Sequence, residues 1–105
     1  DIRAPEVPLN HECRTAVFRV FQESLTNVAR HAQATQVTVT LSMQDNQVLL
    51  QVADNGRGIS AEALRPGKSL GLLGMRERMR EVAGDLDIVG QPDQGTVVSI
   101  RIPLG

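Results

Sequence analysis

The chain has 105 residues, a length for one domain that buries roughly 65% of the surface its unfolded form exposes. A formal net charge of −1 gives no electrostatic case for nucleic acid or an anionic membrane as a general partner. A single cysteine, Cys13, excludes an internal disulfide and points to a reducing, cytoplasmic setting, with its side chain read as a small buried group. No apolar run reaches bilayer-spanning length and no signal peptide is evident, while a start at Asp1 reads as a piece of a longer polypeptide.

Residues 1–9 read as extended. Pro5 and Pro8 bar a helix, and Ile2, Val7 and Leu9 suit an edge strand or a strap. Asn10 is the N-cap of a helix over about 11–33. Within it, Val17, Phe21, Ser24, Leu25, Val28 and Ala32 recur at spacings of three and four, the mark of a core face. Glu23, Asn27, Arg30 and His31 form a second stripe that borders the first. Residues 36–43 alternate, with Val37, Val39, Leu41 and Met43 on one face and Gln36, Thr38, Thr40 and Ser42 on a wet one. Asp45-Asn46 is turn chemistry, so a hairpin leads into a strand at 47–54 with Val48, Leu50 and Val52 inward.

By the same period of two, Asp54 points inward as well. A carboxylate is expensive to desolvate without a partner, so one on a core face at a strand end reads as an acceptor for something bound. Asn55-Gly56-Arg57-Gly58-Ile59 then breaks the strand, and its glycines permit close backbone approach. A polar loop over 60–70 precedes a helix opened by Gly71-Leu72-Leu73-Gly74-Met75 and continued through Ala83, with Gly84 as its C′ residue. Leu72, Met75, Met79 and Val82 form its buried stripe, and its Arg and Glu residues pair among themselves. Its glycine-bearing N-terminus offers free N–H groups and a positive dipole end to phosphate. Strands at 85–90 and 96–103 flank a turn at 91–95, with Val98, Ile100 and Ile102 inward and Thr96 in the same parity. The sum is an α+β fold, a two-layer α/β sandwich with two helices on one face of a mostly antiparallel, mixed sheet.

Other chemistries are absent. There is no P-loop pattern and no GxGxxG after a strand. His11, His31 and Cys13 do not make a zinc cluster, and Ser24, on the apolar side of its helix, has no nucleophile elbow.

Four stretches resemble one family. Glu23-Ser24-Leu25-Thr26-Asn27-Val28-Ala29-Arg30-His31-Ala32 is similar to the N box of sensor histidine kinases, in particular the nitrate-sensor-like branch. Asp54-Asn55-Gly56-Arg57-Gly58-Ile59 resembles the G1 box, residues 71–79 resemble the G2 box, and Gly95-Thr96-Val97 matches the final glycine-threonine element. Each alone is weak; the four in order are specific.

The resemblance implies the Bergerat-type ATP-binding fold shared with type II topoisomerases, heat-shock chaperones and mismatch-repair ATPases, and ATP and Mg²⁺ as cofactors. It implies that Asp54, helped by Thr96, takes the adenine amino group. Asn27 would coordinate Mg²⁺ with Glu23 beside it, orienting metal-bound water or assisting proton transfer, and Arg30 and His31 would lie near the phosphates. Gly56 and Gly58 would admit the nucleotide, and the box of Gly71, Leu72, Gly74 and Met75 would line it, with the glycines under the triphosphate. Lys68 falls in the lid, and Arg57 carries no assignment. Ser69 stands where many relatives have glycine, which bears on lid flexibility.

Residues 1–105 thus read as one catalytic domain of a longer kinase, without the phosphoacceptor and dimerisation hairpin; neither His11 nor His31 has the context of the acceptor. The implied partners are ATP, the hairpin of the same or dimer-mate chain, and a response regulator through the full-length kinase. No nucleic acid and no direct membrane contact is expected, although the full-length protein is open to membrane anchoring. A nucleotide-responsive interaction module and an anti-sigma-type serine kinase are the alternatives.

Overall fold

The computed structural model of this chain describes residues 2–3, 10–29, 34–59, 65 and 70–104. Arg30, His31 and the rest of the expected helix end to Gln33 lie outside these residues. So do the loop residues Pro66, Gly67, Lys68 and Ser69, and Pro5, Val7, Pro8 and Leu9 of the extended segment.

The elements run β1 (Ile2–Arg3), α1 (His11–Asn27), β2 (Val37–Gln44), β3 (Gln47–Asp54), α2 (Leu70–Glu81), β4 (Asp85–Gln91) and β5 (Gly95–Pro103). They build one sheet in the order β1-β2-β3-β5-β4. The two-residue β1 is a parallel edge strand on β2, with Ile2 opposite Val39; the other neighbours are antiparallel. Both helices cover the face that carries Val39, Leu50, Val52, Val98, Ile100 and Ile102. The two-layer sandwich read from the sequence is therefore the observed architecture. No helix among the described residues is long and apolar enough to cross a membrane.

Local chemistry explains the joints. Asn10 Oδ1 accepts the Cys13 N–H at 2.8 Å, satisfying one of the orphan donors of the first turn, a cap worth about 1 kcal/mol. Asp45 and Asn46 both hold positive φ, 54° and 61°, the conformation a two-residue type I′ hairpin turn requires. That turn fixes the β2–β3 register and so places Asp54 opposite Val37.

Three expectations change. The buried face of α1 is Ala16, Val20 and Ser24, with Val17 and Phe21 at its margin and Leu25 37% exposed. The helix is rotated from the expected stripe by most of one residue's step of about 100°. Small Ala16 and Ser24 let the helix sit close to its neighbours, and Ser24 Oγ lies 4.0 Å from Met75 Sδ. The rotation carries Glu23 and Asn27 toward the interior, where both are half-buried. Met43 shares the parity of Val39 yet is 52% exposed and stands outside the core cluster.

At the end of α2, Ala83 instead of Gly84 takes the left-handed conformation, with φ 56°. The Ala83 N–H donates to the Arg80 carbonyl at 3.3 Å and the Gly84 N–H to the Met79 carbonyl at 2.8 Å, a Schellman closure with Gly84 at C″. Glycine is needed one place later because a Cβ there would lie 2.8 Å from the Arg101 carbonyl oxygen. The self-paired face of α2 is present as Arg78–Glu81 at 3.7 Å and Arg80–Glu77 at 3.9 Å, exposed pairs of small energetic weight.

Candidate functional site

Asp54 is the last residue of β3. The β3–β5 ladder ends at Ala53 opposite Val97, and one further step sets Asp54 against Thr96, both in the inward parity and both half-buried. Asp54 Oδ1 accepts the Gly56 N–H at 2.8 Å. Thr96 Oγ1 accepts the Ile59 N–H at 2.8 Å, which leaves its hydroxyl proton to donate. A carboxylate acceptor thus stands beside a hydroxyl donor at the end of the sheet.

The loop after Asp54 is laid on the β4–β5 hairpin. The Asp93 N–H donates to the Arg57 carbonyl at 2.8 Å, and Gly58 has φ 83° with its α-carbon against the Gln91 carbonyl. A side chain at Gly58 is excluded twice, by conformation and by that carbonyl. The glycine therefore has a packing role in addition to the ligand approach the sequence resemblance implies. Gly56 is buried and tied to Asp54.

At the other end of the site, the Glu23 carboxylate rests against the α-carbon of Gly71; a Cβ at Gly71 would overlap Oε1. The first turn of α2 thus receives an acidic side chain at its positive dipole end. Asn27 follows Glu23 by one turn on the same face of α1. Leu72 and Met75 are 5% and 2% exposed, and their side chains fill the core. Gly74 is exposed, and a Cβ there would meet nothing within 4 Å. No packing constraint on the fold explains that glycine.

The structure joins Asp54 with Thr96 and Glu23 with Gly71, and it leaves Arg30 and His31 outside the described residues. Two residues not singled out from sequence belong to the same framework. Asn55 hydrogen-bonds the segment entering β2, and Gly90 accommodates Ile59 of the glycine loop. The Asp-Asn-Gly run signalled a turn at Asn55 but not its distant partners. Among the described residues, no group of three or more His, Cys, Asp or Glu side chains could hold a metal.

The family model described as histidine kinase-, DNA gyrase B-, and HSP90-like ATPase matches residues 13–105. The sensor histidine kinase LiaS of Bacillus subtilis (strain 168) is 36% identical over 88 residues, 84% of this chain and 24% of its own length. Sensor protein VraS of Staphylococcus epidermidis is 38% identical over 104 residues, 99% of this chain and 29% of its own. Among solved structures, the histidine kinase domain of the Erythrobacter litoralis EL346 blue-light activated histidine kinase superposes with a TM-score of 0.87 at 28% identity. That match covers 98% of this chain and 53% of that one. The chain spans less than a third of the length of these two curated relatives.

Proposed function

This chain belongs to the histidine kinase-, DNA gyrase B-, and HSP90-like ATPase family, and from that premise we propose that it is the ATP-binding catalytic domain of a two-component sensor histidine kinase. Its reaction is transfer of the ATP γ-phosphoryl group to a histidine on a helical hairpin elsewhere in the kinase, from which a response regulator is served. The Asn27-Val28-Ala29-Arg30-His31-Ala32 ending and the short 60–70 segment between the glycine boxes support the nitrate-sensor-like branch.

The observation that carries the reading is the Asp54–Thr96 pair. Adenine presents an amino donor beside a ring-nitrogen acceptor, and the pair offers an acceptor beside a donor, whereas guanine places a carbonyl where the amino group would be. Losing a hydrogen bond to a charged acceptor costs about 1.5–3 kcal/mol, enough to select the base. The glycine loop fixes this end of the site through the bonds from Gly56 and Ile59.

The phosphate end falls to α2 and α1. The N-terminus of α2 stabilises the polyphosphate through its N–H groups and dipole, with Gly71 and Gly74 keeping side chains out of the way. Glu23 and Asn27 supply a carboxylate and an amide oxygen, hard donors that fit Mg²⁺, an ion held by one or two protein oxygens plus substrate phosphates. When bound, Mg²⁺ neutralises charge on the phosphates. Asn27 would hold the ion, Glu23 beside it would orient metal-bound water or assist proton transfer, and Arg30 and His31 would lie near the phosphates. Catalysis by this chain is positioning and electrostatics.

Calorimetric titration of the chain with ADP and GDP in Mg²⁺ tests the reading. ADP binds and GDP binds little; equal affinity overturns the adenine assignment.

A further inference from the structure

Asn55 separates Asp54 from the first glycine of the loop, and its side chain makes three hydrogen bonds to a distant segment. Asn55 Oδ1 accepts two successive backbone N–H groups, from Thr35 at 2.9 Å and Gln36 at 3.0 Å. Its Nδ2 donates to Thr35 Oγ1 at 2.9 Å, and its backbone N–H donates to the Gln36 carbonyl at 3.3 Å. An Asn that merely shapes a turn bonds its own near neighbours. Here the side-chain partners lie 19 and 20 residues away, on the segment that brings the chain from α1 into β2.

The strand ladder explains what this accomplishes. Val37 opposite Asp54 is the last pair of β2 and β3, and the next step would set Gln36 against Asn55. At that step one backbone bond remains, from the Asn55 N–H to the Gln36 carbonyl, and the side chain adds to it by fastening two successive backbone N–H groups of the incoming segment. Asp54 is thereby held from two sides, by this staple and by the Ile59–Thr96 bond at the far end of the loop. A terminal strand residue would otherwise fray, and the direction of its carboxylate with it.

We infer that Asn55 is a positioning residue for base selection: it fixes the aim of the Asp54 carboxylate by stapling the end of β3 to the entry of β2. The inference rests on Asp54 being the adenine acceptor. Asn55 touches no ligand in this scheme; it acts through its neighbour.

The test compares the chain with Asn55→Ala, Asn55→Asp and Thr35→Val, each titrated with ADP and GDP in Mg²⁺ and melted thermally. Asn55 is exposed, so Asn55→Ala folds, while its ADP affinity falls about tenfold and the ADP-over-GDP ratio narrows with it. Asn55→Asp keeps an acceptor for both N–H groups and can accept from the Thr35 hydroxyl, so it restores the ratio. Thr35→Val deletes one bond of the staple and narrows the ratio about threefold. A purely structural residue would lower the melting temperature and leave the ratio of the folded fraction unchanged. A folded Asn55→Ala with the wild-type ratio overturns the inference; if that variant does not fold, an unchanged ratio in Thr35→Val does so. A wild-type chain that binds both nucleotides equally overturns the Asp54 reading, and this inference with it.

Discussion

The Glu23 carboxylate lies against the bare α-carbon of Gly71, so the acidic side chain of the first helix is seated on the first turn of the second. Two boxes that are 48 positions apart in sequence meet in one contact, and the contact exists because Gly71 has no side chain. It also explains why Glu23 is half-buried: the small buried residues Ala16 and Ser24 turn α1 toward α2.

Gly71→Ala therefore separates geometry from stability. The added methyl overlaps the far end of a flexible side chain, which swings aside, and alanine is the better helix former by about 0.5–1 kcal/mol. The melting temperature holds or rises. Phosphoryl transfer by the complete kinase falls by roughly a hundredfold if Glu23 assists proton transfer. Unchanged transfer with Glu23 displaced would remove Glu23 from the mechanism.

Gly74→Ala makes a sharper contrast. Its Cβ would enter open space, so the substitution stabilises α2 by about 0.5–1 kcal/mol as measured by urea denaturation. If the glycine exists to let phosphate approach, ATP binding weakens at the same time. A variant that is more stable and binds as well as the parent means that Gly74 faces solvent only.

The turns of this fold were legible locally. Asp45-Asn46 announces a two-residue hairpin, and Asn10 announces a helix start, because both act on backbone groups within three residues. The rotation of α1 was not legible, since a stripe through Phe21 and Leu25 is more hydrophobic than one through Ala16, Val20 and Ser24, while close packing of two helices favours small residues such as Ala16 and Ser24. In sequence Asn55 is only part of the run that breaks the strand, because its partners Thr35 and Gln36 become neighbours only through the β2–β3 register. Asp54 and Thr96 were legible from strand parity alone. The sequence places C′ at Gly84, one residue too late, because the αL site goes to Ala83 and the glycine is kept for the Arg101 carbonyl.

The corrected helix face sets the next expectation. Val20 is fully buried, so Val20→Asp places an unpaired charge in the core and unfolds the domain, a loss of several kcal/mol. Asn27 continues that face one turn beyond Ser24 but is only half-buried. Asn27→Ala therefore puts no charge in the core and leaves circular dichroism and melting far closer to the parent than Val20→Asp does, while Mg²⁺-dependent ATP binding weakens. Equal destabilisation by both variants would mean that Asn27 is a packing residue and not a metal ligand.

A last expectation distinguishes a nucleotide-binding domain from a complete kinase. Transfer requires an acceptor nitrogen in line with the γ-phosphate, and much of the rate derives from that alignment. Within this chain the candidate histidines are His11, the first residue of α1, and His31 of the N box. His11 lies four helical turns from the Asn27 end of α1, on the order of 24 Å at 1.5 Å per residue, too far to share its phosphate. Incubated alone with labelled ATP and Mg²⁺, the chain binds nucleotide and accumulates almost no acid-labile phosphohistidine. Supplied with a cognate dimeric helical hairpin bearing an acceptor histidine, it labels that hairpin, and Glu23→Ala removes the label. Strong labelling of His11 or His31 in the isolated chain would overturn this division of labour. Nucleotide binding without transfer to any hairpin would favour a nucleotide-responsive interaction module.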